Sequence, residues 1–254
     1  MKRIILIVSG LGMILLIFSG ILDYAEPEAY TIASKPVFVY TPTNTPIPAV
    51  SALLPTPTPA PSIYANILID PGHGGDDHGA DVDSLNINEK VINLTIALRL
   101  YSLLQQDYEK IRVNMTRFDE TTVSKLDRVE MANTSADFFI SIHCNANAQQ
   151  SAHGITTYFQ THDSDKPFTS KELAEAIQRN LVEVTGAYDR GIQYSDKLFL
   201  LNHTAVPTIL VETGFLTNAE ELRLLLDDSY VDLMAEGFRQ GILEMADHVI
   251  ASQN

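Results

Sequence analysis

ADFFISIH (136–143) decides how this chain folds. The run is short, nearly free of charge, and rich in aromatic and branched side chains, which is how a buried β-strand reads. It is preceded by VSKLDRVEMANTS (123–135), a helix, and by IRVNMT (111–116), a strand. Further out, YANILID (64–70) is a buried strand that stops at Pro71-Gly72. EKVINLTIALRLYSLLQQ (89–106) places Val91, Leu94, Leu98, Tyr101 and Leu104 at helical spacing. On the C-terminal side, GITTYFQ (154–160) alternates as a strand does. SKELAEAIQRNLVEVTG (170–186) is an amphipathic helix with a glycine stop, and VPTILVET (206–213) is another buried strand. Helices at about 218–227 and 229–251 close the chain. Strands alternating with helices over residues 63–254 predict an α/β domain, a mostly parallel central sheet covered by helices.

Open α/β sheets bind ligands outside the carboxyl ends of their strands. Three of the strands run into chemically loaded residues there. The first leads to Asp70-Pro71-Gly72-His73-Gly74-Gly75, the central one to Ser141-Ile142-His143-Cys144-Asn145, and the late one to Glu212-Thr213-Gly214-Phe215. Glu89 opens a helix just after Asn88, which is placed to cap it. Taken singly, each residue has a plain structural explanation. A carboxylate in a first helical turn is favoured by the helix dipole, Glu212 suits half of a buried ion pair, and a lone histidine suits a loop hydrogen bond. Taken together, two histidines and two glutamates from distant positions meet at one edge of the sheet. Two imidazoles and a carboxylate form a set suited to Zn²⁺ that leaves one position open for water.

The remainder of the chain has a different composition. Nine of the 12 prolines fall in residues 1–61, while residues 63–254 carry 14 basic against 29 acidic side chains, the whole of the imbalance behind a net charge of −15. IILIVSGLGMILLIFSGIL (4–22) is uncharged, follows Lys2 and Arg3, and has the length of a bilayer-spanning helix. The positive flank puts the following chain outside the cytoplasm. This segment, 1–23, is expected to be an anchor, or a signal segment if it is cleaved. Residues 24–62 contain YTPTNTPIPAVSALLPTPTPAPS (40–62), a Pro/Thr-rich spacer expected to stay extended. The acidic globular part argues against nucleic acid or anionic lipid headgroups as its main partner. The single cysteine excludes an internal disulfide framework and any CxxC metal site. No internal repeat is visible.

ILIDPGHGGDDHGAD (67–81), NEKVINLTIALRL (88–100), the stretch from Thr116-Arg117 to Arg128 and Ala132-Asn133, ADFFISIHCNA (136–146) and VPTILVETGFLTNAEE (206–221) occur in order. With these segments the chain resembles the zinc-dependent N-acetylmuramoyl-L-alanine amidases of the type-3 amidase family, over essentially all of 65–250. His78 departs from that pattern, which usually has a small residue or proline there. The resemblance implies zinc ligands at His73, Glu89 and His143 and a catalytic carboxylate at Glu212. Asn145 and Arg190 lie in recurrent segments without a clear role. Cys144, one residue along an extended chain from His143, should face the other way and serve as a small buried filler.

The activity so implied is zinc-assisted hydrolysis of the amide joining N-acetylmuramic acid to L-alanine of peptidoglycan, on the wall side of the cytoplasmic membrane. Glu212 would move the proton from water to the departing amine. Two other readings compete: a catalytically silent wall-binding scaffold on the same fold, and a zinc peptidase acting within the stem peptide. Some members of the family carry an inserted helix that blocks the site. The 68 residues between His143 and Glu212 are already taken up by a strand, a helix and short loops, which predicts an unplugged site here.

Overall fold

β5 (Phe138–Asn145) lies inside a six-stranded sheet, between β1 (Ala65–Pro71) and β8 (Thr208–Phe215). The computed structural model describes residues 64–82, 87–161 and 166–253. The expected membrane segment and Pro/Thr-rich linker lie outside those residues. Among the described residues, no helix is long and apolar enough to cross a membrane.

The sheet runs in the order β4 (Ile111–Met115), β1, β5, β8, β6 (Ile155–Phe159), β7 (Asp189–Tyr194). The first four strands are mutually parallel. β6 runs antiparallel to β8, and β7 is parallel to β6, so two strands on one side reverse the sheet's direction. A short antiparallel ribbon, β2 (Asp81–Val82) with β3 (Ile87–Asn88), bridges the loop that follows β1.

Side chains alternate between the faces of a strand, and here the two faces are covered unequally. Ile67 and Ile69 of β1, Phe138, Ile140 and Ile142 of β5, and Ile209 and Val211 of β8 join one large core. That core is completed by α1 (Glu89–Leu104), α3 (Ser170–Thr185), α5 (Ala219–Leu225) and α6 (Asp228–Ser252). Each large aliphatic or aromatic side chain buried there contributes about 1.5–3 kcal/mol. The opposite face has a small core of Leu68, Phe139, Ala132, Leu200 and Val206 under α2 (Lys125–Ser135) and the five-residue α4 (Phe199–His203). By the same alternation Asp70, His143 and Glu212 project from this thinly covered face, towards its carboxyl-terminal end.

Three expectations need correction. The buried stripe of α1 is Ile92, Ile96, Ala97, Leu100 and Leu104, whereas Val91 and Leu98 are exposed. The helix is apolar on nearly every side, so its period alone does not select the stripe that docks. Asn88 occupies the N-cap position of α1, but its side chain makes no capping hydrogen bond. The first-turn donors are already satisfied by the loop, Glu89 N–H by the Ala80 carbonyl (2.9 Å) and Lys90 N–H by that of His78 (3.2 Å). β7 and α4 belong to no expected element, for reasons of burial and length taken up below.

Candidate metal centre

The loop after β1 is pinned before it presents anything. Asp70 is wholly buried, accepts hydrogen bonds from Thr116 Oγ1 (2.6 Å) and Ser141 Oγ (2.7 Å), and is ion-paired with Arg128. The Arg128 guanidinium also donates to the carbonyls of Pro71 (3.1 Å) and His73 (2.6 Å). Arg117, buried beside it, donates to the carbonyls of Pro71 (3.0 Å), Gly72 (2.9 Å) and Lys90 (2.9 Å). Two arginines thus clamp three consecutive carbonyls. The clamp accompanies a left-handed backbone at His73, with φ of 63°. That conformation costs a residue with a side chain roughly 1–3 kcal/mol and persists only where the surroundings dictate it.

His73, Glu89 and His143 converge, with one potential ligand atom from each lying within 4.8 Å of the others. His73 Nε2 is 3.2 Å from Glu89 Oε2, and His143 Nδ1 is 2.9 Å from Glu89 Oε1. The two imidazole rings meet edge-on with centroids 4.8 Å apart. Asp77 Oδ1 lies 2.8 Å from Nδ1 of His73, an acceptor placed to hold a proton on that nitrogen when Nε2 is engaged by a metal. The His143 ring lies across Gly72 so closely that a Cβ there would fall 2.2 Å from Nε2, so no larger residue fits. Glu89 is further oriented by the backbone N–H groups of Ala80 (3.0 Å) and Cys144 (3.1 Å) and by the Asn93 amide (3.2 Å). Burial alone would raise the Glu89 carboxyl, but its hydrogen bonds with His143 and His73 and their charges hold it far below the usual carboxylate range. Burial alone would lower His73, yet Glu89 and Asp77 leave it above the ordinary imidazole value. Two imidazoles around an ionised carboxylate are the donor types Zn²⁺ takes in hydrolytic sites, and this set fits such an ion.

Glu212 stands beside this cluster. On β8 it is the register partner of His143 on β5. Its Oε2 is buried and makes no hydrogen bond, and no arginine pairs with it among the described residues. Burial pushes its carboxyl up to about 7; the charge on Glu89 adds to the rise while those on His143 and His73 oppose it. The ion-pair explanation for Glu212 therefore fails. Buried polar atoms without partners are rare and call for a reason. Glu212 thus presents a buried carboxylate oxygen with no protein partner beside the metal-type cluster.

Comparison with known proteins places this geometry. Residues 67–244 match the family described as N-acetylmuramoyl-L-alanine amidase. The chain belongs to that family. It is 36% identical over 195 residues to N-acetylmuramoyl-L-alanine amidase LytC of Bacillus subtilis, covering 76% of this chain and 38% of LytC. It is 35% identical over 183 residues to the endolysin of Bacillus phage SPP1, covering 70% of this chain and 65% of that protein. Among solved structures, an N-acetylmuramoyl-L-alanine amidase from Clostridium difficile 630 superposes with a TM-score of 0.68 at 38% identity, over 73% of this chain and 98% of that one. The catalytic domain of CwlV from Bacillus (Paenibacillus) polymyxa gives 0.67 at 34% identity, over 72% and 99%. The mostly parallel sheet flanked by helices is the architecture of these type-3 amidases.

Within this amidase-family domain the four expected residues come together, and the doubtful ones separate. His78 is exposed, 3.9 Å from Asp81, and outside the cluster. Arg190 on β7 donates to the His153 carbonyl (3.0 Å) and lies over the Phe215 ring. Asn145 accepts from Leu216 N–H (2.8 Å) through its backbone, which ties the ends of β5 and β8 together. Cys144 is buried in the large core with Sγ 3.3 Å from Thr213 Oγ1, as its alternation with His143 requires. Asp77 and the clamping pair Arg117 and Arg128 carry no assigned role in the sequence reading. Their sequence signal is membership of the segments that carry the family resemblance, with Arg117 two residues past the end of β4 and Arg128 on the buried side of α2.

Proposed function

We propose that this chain hydrolyses the amide between N-acetylmuramic acid and L-alanine of peptidoglycan, releasing stem peptides from the glycan. The observation that carries the reading is the unpartnered, buried Glu212 carboxylate oxygen beside the His73–Glu89–His143 cluster. His73 Nε2, a Glu89 oxygen and His143 Nδ1 would hold Zn²⁺, which supplies Lewis acidity toward the amide carbonyl and lowers the pKa of water. Glu212 takes a proton from the attacking water at its free oxygen and returns it to the alanine nitrogen as the C–N bond breaks. Asp77 keeps the His73 proton on Nδ1, and the Arg117–Arg128 clamp holds the loop that aims the ring. The silent-scaffold reading has no support in the site, because all four functional positions are filled by competent side chains.

The chain works outside the cytoplasm in this reading, tethered through residues 4–22 and spaced by the Pro/Thr-rich segment, or secreted if the leader is cut. An unplugged site is part of this reading; in its support, among the described residues α3 packs on the far face and the short α4 lines the cavity beside the cluster.

Glu212→Gln tests the assignment. It should retain stoichiometric zinc by metal analysis while release of stem peptide from muropeptides, read by mass spectrometry, drops at least about a hundredfold. Normal cleavage by this variant sinks Glu212 as the base. Shortened peptides with the muramoyl amide intact would point instead to a peptidase.

A further inference from the structure

A cavity of about 170 Å³ opens beside the cluster, with His73 and His143 at one end and Val123, Leu198, Phe199 and Leu210 along its walls. Its size is well below the roughly 300–1,000 Å³ of sites that enclose a drug-sized ligand, so it takes one short piece of a larger substrate. Its charged lining is nearly all accounted for. Asp70 and Arg128 neutralise one another, and Asp77 is engaged with His73. Lys125 remains, exposed at the rim and without an ion-pair or hydrogen-bond partner for its ammonium among the described residues.

Lys166 and Lys197 likewise form no ion pair among the described residues, and of the three Lys125 is the one that lines this cavity. The remaining described lysines are paired. Lys90 pairs with Glu120 (3.0 Å), Lys110 with Asp247 (2.9 Å) and Lys171 with Glu175 (3.5 Å). With 29 acidic side chains in residues 63–254, a partner is easy to find. The nearest acidic neighbour of Lys125 on the helix, Asp127, lies two positions along α2, a spacing at which side chains do not face each other. Lys125 also sits in the first turn of α2, where the helix dipole disfavours a cation. An uncompensated ammonium facing the cavity of an acidic domain is a receptor for an anion.

We propose that Lys125 reads a free carboxylate on the stem peptide, and so assigns this cavity to the peptide side of the scissile amide. The inference rests on the amidase reading. Before cleavage the muramoyl side is uncharged at the reacting group, since its lactyl carboxyl is tied up in the amide. The peptide side presents, at its second residue, the α-carboxyl of a γ-linked D-glutamate, the first free carboxylate beyond the scissile bond. The apolar wall accommodates the alanine methyl that precedes it.

The test compares two N-acetylmuramoyl-L-Ala-γ-D-Glu-L-Lys substrates that differ solely in whether the D-Glu α-carboxyl is free or amidated. Wild-type protein should favour the free acid by about fivefold in kcat/KM, through KM, the scale of a solvent-exposed charge pair. Lys125→Met should reduce that preference to about one, and Lys125→Arg should restore it. Raising ionic strength should erode the wild-type preference and leave the Met variant's ratio where it is. A preference unchanged in Lys125→Met overturns the proposal while leaving the amidase reading intact. Cleavage of neither substrate by the zinc-loaded wild type removes the amidase reading, and the proposal with it.

Discussion

At the residue scale, what separates the legible part of the site from the rest is where each side chain sits relative to a regular element. His143 and Glu212 end strongly apolar strands, and His73 follows one, so their convergence could be argued from alternation and topology. Asp77 stands in an exposed, acidic turn that reads as solvated loop, and only the left-handed backbone at His73 turns that imidazole back onto it. Arg117 and Arg128 act on backbone carbonyls, and a carbonyl leaves no trace in a sequence. Asp77 nonetheless has a measurable role. Asp77→Ala should lower zinc affinity by about 10–100-fold, the usual effect of removing a partner that orients a ligand histidine. Competition against a chromogenic chelator reads this directly, and an affinity equal to wild type would show that the loop alone sets the His73 tautomer.

At the element scale, burial pattern explains which pieces were readable. β1, β5 and β8 are buried along most of their length, so each reads as a largely apolar run. β7 is an edge strand whose residues are half-buried or exposed, with Gly191 in its middle, so it has neither an apolar run nor a clean alternation. α4 is too short to establish a helical period. The reversal of β6 and β7 against the rest of the sheet was invisible for another reason, since alternation along one strand says nothing of its direction. Helix packing gives a test at this scale. α6 crosses α3 at Gly237, where an added Cβ would lie 2.9 Å from Leu181 Cα and 3.2 Å from the Asn180 carbonyl oxygen. Gly237→Ala gains about 1 kcal/mol of helix propensity, but overpacking against backbone costs about 1–3 kcal/mol. The second effect should win and Tm should fall; a rise in Tm would mean the two helices separate freely.

At the scale of the whole molecule, the proposed tether matters because charge would not supply placement. The globular part is acidic by 15 charges, the difference between 29 acidic and 14 basic side chains in residues 63–254. In the proposed setting, a wall bearing anionic polymers would repel it over distances set by the Debye length. The fragment 63–254 should therefore bind purified sacculi no less well as ionic strength rises from about 0.01 to 0.15 M, which shortens that length from about 30 to 8 Å. Binding that weakens with salt would reveal an attractive patch and would make the tether dispensable for placement. The extracytoplasmic setting proposed above bears on Cys144 as well. A lone thiol outside the cytoplasm meets oxidants and other proteins' disulfides, and the thiolate is the form that reacts with them. Burial pushes the Cys144 thiol well above its usual range, Thr213 caps its sulfur, and the large core excludes reagents. The fold that turns His143 outward thereby turns the next residue into a protected thiol, so the domain can be exported with an odd cysteine and remain free of mixed disulfides for as long as it stays folded.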